Sequence, residues 1–553
     1  MFKKSAEAIQ FNIFTSPTAL FSGNTLKFYE NKTAWHNLFR QQVTMRIDED
    51  IFSPLYCNNN GAPTTHIRTL VAMMILKEAD GLSDSKLFED CRFNMLTRSA
   101  LGLLNADDLV PTESTYYLFR KNIFDYANTE NENLFDTVFA QITKEQCLDL
   151  DVSGKRIRMD SKLLGSNIAW LSRYEIIHET LRLFYNQAKE LGKIDVETKQ
   201  KLDNLLQFKG NKVVYTCTAV EVKTRLQNLG ELIYKILPLY SGISSEYYET
   251  LKRVFYEQFN VDENKLVVGK GNDEISAQSV QSPHDTTCTY RDKDGNKIKG
   301  FVIDVVESCD DEKALNLIGR VDVRTVSTPD VDFFEDNIEE AQEVFPDKIE
   351  NAHVDGAYHS PGNQQFCKDN EINLYLHAIQ GAKGRFQFFL MENGEYSIMD
   401  THTNELMQAT KFISKNDITK WRIIVDKKYR YFTQQYIDNC LIRSKIEDTP
   451  IEILQKRNNV EATVFQLGFH YSNDKSRYRG LIKHQMWANM RALWVNFVRI
   501  AKFIERICQR TFFIINKSIM HRIIAIVIIF KSFVKAILPN NIPFAQNIQI
   551  SVI

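Results

Sequence analysis

The sequence lacks closely spaced cysteines. Its 553 residues include nine cysteines, but no two of them form a C-x-x-C pair. This spacing argues against a zinc ribbon and against a disulfide framework, and it favours a protein of the reducing cytoplasm. Residues 1–7 also lack an apolar core followed by a small-residue cleavage site, so no secretory signal is expected.

Long apolar runs are missing as well. Residues 523–530, near the C-terminus, are all apolar, but this run is far shorter than the roughly 20 residues that a membrane-spanning helix needs. We therefore expect a helix that packs against protein and no membrane partner. A membrane role is the alternative interpretation of this segment.

The chain has little net charge of either sign. Its formal net charge is −2, so any surface for nucleic acid has to be local. Residues 474–553 contain thirteen Lys or Arg residues and only two acids. This asymmetry is typical of a nucleic-acid-binding surface, and a basic solvated helix is the alternative.

Composition and patterning predict a soluble α/β protein of several domains. Hydrophobic residues make up 44% and charged residues 25% of the chain, as is ordinary for globular proteins. The patterns divide the chain into a helical N-terminal region (1–150), a mixed-sheet core in two segments (151–165 and 281–384), a helical insertion (166–280), a β-rich insertion (385–449), helices that complete the core (450–510) and a basic hydrophobic tail (511–553).

Several local patterns support this division. Residues 290–307 read as two strands joined by an Asp-Gly-Asn turn, and a helix is predicted at residues 333–344. Residues 213–220 give a weak strand signal inside the helical insertion. Residues 385–448 alternate short strand-like pieces with turns, and the chain is predicted to become helical from about residue 450.

Three acidic residues occupy positions suited to catalysis. Asp160 lies in an alternating segment, 156–161, that predicts a strand, and Asp355 ends a second predicted strand. Glu461 lies on a predicted helix, beside an apolar stripe at i, i+4 and i+7. Carboxylates at two strand ends and on a helix can converge to hold a pair of divalent metal ions, which suits phosphodiester chemistry.

Basic residues accompany the third acid. Arg457 lies four residues before Glu461 and shares its helix face, so the two form either a surface ion pair or a phosphate-binding arrangement. Downstream, Arg477, Arg479 and Lys483 fall in a segment with few acids. We expect these residues to contact the DNA backbone, and a solvated loop is the alternative.

Together these segments resemble a DDE transposase of a bacterial insertion sequence, with an RNase H-like catalytic core. The matching segments, in the order of that family, are Pro63-Thr-Thr-His-Ile-Arg, Leu82-Ser-Asp84, Pro111-x-x-x-Thr115 leading to Phe119-Arg120, Met159-Asp160-Ser161, Gly300-Phe-Val-Ile leading to Glu307, Val354-Asp355-Gly-Ala-Tyr358, Arg457-x-x-x-Glu461 and Arg477-Tyr-Arg-Gly480.

The resemblance implies a function. Asp160, Asp355 and Glu461 would be the catalytic residues and the ligands of two Mg²⁺ or Mn²⁺ ions. The enzyme would cut the ends of its element and join them to target DNA, acting as a homodimer on DNA. The helical N-terminal region would recognise the terminal inverted repeats, and Arg457, Arg477, Arg479 and Lys483 would contact DNA.

The sequence also departs from the family pattern. Related transposases often have a Tyr three residues before the Arg and a Lys seven residues after the Glu, where this chain has Leu454 and Gly468. The role of the missing lysine is open to Arg477, Arg479 or Lys483. Two other functions remain open: an RNase H-fold nuclease without strand transfer, and an inactive DNA-binding protein derived from a transposon.

Overall fold

The fold comes from a computed structural model, which describes residues 2–4, 15–57, 64, 66–293, 295–310, 315–379, 381, 383–391, 394–413, 419–425, 427–468 and 475–537. Side chains are described as far as residue 510. The predicted mixed α/β fold with a helical N-terminal region is confirmed. The part of the tail beyond residue 537 lies outside the described residues.

The N-terminal region is helical and shares its core with the rest of the molecule. Its helices are α1 (Gly23–Glu30), α2 (Trp35–Gln42), α3 (Ile67–Ala79), α4 (Asp84–Phe93), α5 (Met95–Ala100), α6 (Glu113–Glu130) and α7 (Leu134–Asp149). Helix α3 is buried on almost every side. Its apolar residues join one hydrophobic cluster with residues of the central sheet, so this region is not separated from the sheet by a solvated boundary.

A six-stranded mixed sheet forms the centre of the molecule. It contains β1 (Arg156–Gly165), β4 (Thr289–Lys293), β5 (Asn296–Ser308), β6 (Ile318–Thr325), β7 (Asn351–Val354) and β8 (Asn373–Leu376). The order is β4-β5-β1-β7-β8, and β6 also pairs with β5. Strands β1, β4 and β6 each run antiparallel to β5, whereas the pairs β1–β7 and β7–β8 are parallel.

Helices cover both faces of this sheet. Helices α13 (Phe334–Val344) and α14 (Pro361–Asp369) pack on one face. On the other face lie α17 (Asn458–Leu467) and α18 (Leu481–Ile537), which also contacts α3 and α7. Helix α18 has 57 residues and continues without a break through the predicted boundary at residue 510.

Two insertions lie outside the central sheet. The helical one contains α8 (Arg173–Glu190), α9 (Val196–Leu205), α10 (Gly210–Thr216), α11 (Ala219–Leu239), α12 (Glu246–Gln258) and the hairpin β2 (Phe259–Val261) and β3 (Val267–Gly269). The second contains β9 (Phe386–Leu390), β10 (Tyr396–Asp400), β11 (Glu405–Gln408), β12 (Thr410–Ile413), β13 (Thr419–Val425), β14 (Lys428–Thr433), α15 (Gln434–Asp448) and α16 (Ile451–Leu454). Each insertion has its own hydrophobic cluster.

Two local predictions were wrong. The weak strand signal at residues 213–220 falls on α10 and the start of α11, because Thr218 forms a capping box with Glu221 and starts a helix there. Residues 434–448, predicted to belong to a stretch of strand-like pieces and turns, form α15, which begins at the Thr433 N-cap. The predicted hairpin at 290–307 and the helix at 333–344 are confirmed.

Candidate active site

The first two acids are brought together by the pairing of β1 with β7. These strands are parallel, and Arg158 on β1 lies opposite His353 on β7. Asp160 and Asp355 each follow two residues later, so they lie at the same level of the sheet. Adjacent parallel strands that leave a sheet at one level place their polar side chains side by side.

A tight turn holds Asp355 at the end of β7. Its carboxylate accepts a hydrogen bond of 2.6 Å from the backbone N–H of Gly356. A Cβ atom at Gly356 would lie 2.0 Å from the carbonyl oxygen of Ala378, so only glycine fits here. Tyr358 then turns inward and donates a hydrogen bond to the buried carboxyl of Asp304, which anchors the turn.

Helix α17 brings the third acid to the same place. Val460, Val464 and Leu467 are buried, which confirms the predicted apolar stripe. Packing of this stripe directs the neighbouring face, with Glu461, towards the strand ends. Arg457 lies in the short 3-10 turn just before α17 and is buried.

The three acids meet around one guanidinium. Nη2 of Arg457 lies 3.1 Å from Oδ1 of Asp160 and 3.7 Å from Oδ2 of Asp355. Its Nη1 atom lies 3.3 Å from Oε1 of Glu461. The structure therefore brings together four of the residues that the sequence singled out.

Burial sets the electrostatics of this cluster. Burial raises the pKa of Asp160, and the neighbouring Arg457 lowers it by less. Burial by itself lowers the pKa of Arg457. Its carboxylate neighbours, with Asp160 first, raise the pKa by more than burial lowers it, so the guanidinium stays charged. A buried carboxylate needs a cation beside it to remain ionised, so the site is built to hold positive charge.

The donor chemistry suits a hard divalent ion, but the three carboxylates are not grouped as a metal site. Among the described residues, no three His, Cys, Asp or Glu side chains are grouped closely enough to hold a metal ion. The side chain of Arg457 is only 10% exposed and lies among the three carboxylates. Carboxylate oxygens are the ligands that Mg²⁺ and Mn²⁺ prefer, so the donor atoms are of the type that suits these ions.

A buried ion network lies behind the site, and sequence reasoning missed it. Arg158 donates to Glu307 at 2.6 Å, and Arg499 of α18 donates to the other oxygen of Glu307, also at 2.6 Å. Thr463 of α17 donates to the same carboxylate at 2.8 Å. This network fixes β1, two residues before Asp160, against α17. The signal in the sequence is Glu307 itself, an acid near the end of a mostly apolar strand, which the family resemblance includes without indicating its partners.

The other predicted DNA-binding residues lie in the segment that precedes α18 and at its start. Arg477 donates to Glu78 at 2.8 Å and to the backbone oxygens of Gly81 and Leu82. Arg479 is exposed and donates to the backbone oxygen of Asn167. Lys483 is exposed over the ring of Phe124. A DNA contact by any of the three stays a prediction.

Comparison with known protein families gives a match in the N-terminal region. The family described as Transposase domain (DUF772) matches residues 28–122, within the helical N-terminal region. This match supports a transposase, and so a DNA-cleaving enzyme in general. Neither the curated proteins nor the solved structures gave a significant match. Within the described residues, no helix has the length and apolar character needed to cross a membrane.

Proposed function

We propose that this chain is a DDE transposase with an RNase H-like catalytic core, which cuts the ends of an insertion sequence and joins them to target DNA. One observation carries the proposal: Asp160, Asp355 and Glu461 come from two strands and a helix, yet all three contact the guanidinium of Arg457. The transposase-domain match and the mixed order of the central sheet support it.

The catalytic metal ions would be held by the three carboxylates. Two Mg²⁺ or Mn²⁺ ions bound by Asp160, Asp355 and Glu461 would activate the attacking water or 3′-hydroxyl and stabilise charge on the phosphate. Arg457 must then leave the space among these carboxylates. Its planar guanidinium is suited to phosphate oxygens of DNA, so we assign it that second contact.

The remaining DNA contacts are assigned by region. The helical N-terminal region would bind the terminal inverted repeats, and Arg479 and Lys483 would contact the backbone of the DNA. Two ends have to be cut and joined together, so we propose a homodimer on DNA, in the cytoplasm. Arg477 keeps its predicted DNA contact, although its guanidinium already has three hydrogen-bond acceptors within the chain.

The direct test is a cleavage and joining assay on duplexes that carry the inverted repeats flanking the coding region. We expect Mg²⁺-dependent cleavage, and joining of pre-cut ends to a target plasmid. Asp355→Asn should abolish both reactions and leave DNA binding nearly unchanged, because it removes the charge of a metal ligand and no phosphate contact. Asp369→Asn is the matched control, since Asp369 is exposed on α14 and away from the cluster.

Two outcomes of this assay would contradict separate parts of the proposal. Cleavage without joining would replace the proposal with an RNase H-fold nuclease. Cleavage at the normal rate by Asp355→Asn would remove Asp355 from the metal ligands.

A second function is favoured by a specific observation. Arg457 lies among the three carboxylates, in the space that metal ions would need, as expected for an inactive protein that retained only DNA binding. Specific binding of the repeats with no cleavage in Mg²⁺ or Mn²⁺ would establish this alternative, a transposon-derived DNA-binding protein.

A further inference from the structure

We infer that Lys162 is a phosphate-binding residue of the active site, placed at the end of the catalytic groove away from Arg457. The inference rests on the proposed function, since it assigns a DNA contact to the same site. The groove is the space between strand β1, which carries Asp160, and the face of helix α17 that carries Glu461.

Strand geometry places Lys162 in this groove. Lys162 follows Asp160 by two residues in β1, where both pair with β5. Side chains two residues apart in a strand point to the same face and lie roughly 7 Å apart along it. Lys162 therefore extends from the same side of the sheet as the catalytic aspartate.

The face of α17 that carries Glu461 forms the opposite wall of the groove and also reaches Lys162. Glu461, Phe465 and Gly468 are spaced at i, i+4 and i+7, so they form one face of α17 and its C-terminus. The ammonium group of Lys162 lies 6.0 Å from the ring centre of Phe465. It also lies 3.8 Å from the position that a Cβ atom of Gly468 would take.

The groove thus has one cation in its acidic centre and a second cation beside it. Arg457 lies among the three carboxylates, and Lys162 reaches the C-terminal end of the helix face that carries Glu461. A DNA strand held with one phosphate at the carboxylates has a further phosphate on each side. A lysine ammonium is a compact point charge suited to such a phosphate.

The three cations that the sequence analysis offered in place of the family's lysine have other contacts. Arg477 is bound to Glu78, and Arg479 to the backbone of Asn167. Lys483 stacks over Phe124 of α6. Among these candidates and Lys162, it is Lys162 that shares a strand with Asp160.

The test is a salt titration of binding to a duplex that carries one flanking inverted repeat. It uses the full chain in the Asp355→Asn background with constant Mg²⁺, so that the DNA stays uncut. Lys162→Met should reduce the slope of log affinity against log salt by about 0.9, the value for one phosphate contact. With Asp355 restored, Lys162→Met should cut DNA roughly tenfold more slowly, or worse, as expected for loss of a charged contact.

A second-site variant separates this role from a structural one. Gly468→Lys, added to Lys162→Met, returns an ammonium group to the same end of the groove, and the backbone of Gly468 has an ordinary negative φ of −90°. We expect this pair to regain part of the slope and the cleavage rate. Gly468→Met in the same background should regain neither, and Lys199→Met on the exposed side of α9 should behave like the unchanged protein.

The outcomes keep the two proposals apart. If the unchanged protein cuts the repeats but Lys162→Met keeps the full slope and rate, the role of Lys162 is excluded and the proposed function stands. Equal recovery by Gly468→Lys and Gly468→Met would also exclude it, because charge would then be irrelevant. If the unchanged protein neither binds nor cuts the repeats, the proposed function itself fails.

Discussion

At the scale of single residues, Arg457 lies at the centre of the site. Its guanidinium contacts three carboxylates that are separated by up to 301 positions in the sequence, from Asp160 to Glu461. Such a cluster of negative charge would be unstable without a counter-ion, because like charges close together oppose ionisation. The arginine is therefore the counter-ion of this cluster, and the proposed function requires it to move before metal ions can bind.

A pH prediction concerns Asp304, the fully buried acid under the Asp355 turn. Burial raises its pKa to about 8, although Tyr358 and Asn337 donate to it and lower the pKa in part. The unfolded chain has an ordinary carboxyl pKa near ~3.9, so the folded state binds one more proton between the two values. Through this group, stability is greatest below about pH 4 and falls by up to about 1.4 kcal/mol per unit as pH rises towards 8.

The variant Asp304→Asn removes this titration while keeping the shape of the side chain. We expect its melting temperature to rise relative to the unchanged protein as the pH increases from 5 to 8. Thermal unfolding followed at several pH values checks this. A difference in melting temperature that does not vary with pH would contradict the raised pKa.

A second prediction for single residues separates DNA binding from folding stability at Arg477, Arg479 and Lys483. Arg477 is bound to Glu78, whose side chain is only 3% exposed, so Arg477→Ala leaves a buried charge and should cost about 1–3 kcal/mol of stability. Arg479→Ala and Lys483→Ala should leave stability unchanged and each lower the salt slope of DNA binding by about 0.9. Unfolding curves and salt titrations of the three variants test this, and an unchanged slope in both exposed variants would favour a loop without DNA contact.

At the scale of elements, a buried network connects strands β1 and β5 to two helices. Glu307 on β5 is fully buried and is satisfied by Arg158 of β1, Thr463 of α17 and Arg499 of α18. Networks of this kind contribute little net stability, but they are expensive to break, since a buried charge is then left without its partner. The position of Glu461 thus depends on residues that do not contact the site.

We therefore expect Arg499→Met to destabilise the fold by about 3–5 kcal/mol, as when one partner of a buried ion pair is removed. Arg506→Met is the matched control, two turns further along α18 and exposed. Chemical denaturation of both variants measures the difference. Equal stability of the two would mean that the Glu307 network does not restrain the helices.

The sequence predicted elements where local patterns were strong. The alternation around Asp160, the turn near Gly295 and the apolar stripe of α17 each follow from neighbouring residues, and each prediction was correct. The β-branched residues near Val213 suggested a strand, but helix capping at Thr218 decided otherwise. The contact of Arg457 with Glu461 follows from their i, i+4 spacing. Its contacts with Asp160 and Asp355 could not be predicted, because they depend on how distant strands and helices pack.

At the scale of the whole molecule, one long helix joins the regions. Helix α18 packs against the central sheet and against α3 and α7 of the N-terminal region, within one hydrophobic cluster. A displacement of the N-terminal region would therefore be transmitted to the sheet that carries the acids. In the proposed function, DNA recognition and catalysis would be mechanically linked for this reason.

The central claim is that Asp160, Asp355 and Glu461 form a metal site, and direct metal titration tests it. Mn²⁺ binding is followed by electron paramagnetic resonance, with and without repeat DNA, on the unchanged protein, Asp355→Asn and Asp369→Asn. We predict that the unchanged protein and Asp369→Asn bind Mn²⁺ alike, and that Asp355→Asn loses this binding. Equal Mn²⁺ binding by Asp355→Asn, or no binding by the unchanged protein even with DNA present, would contradict the account.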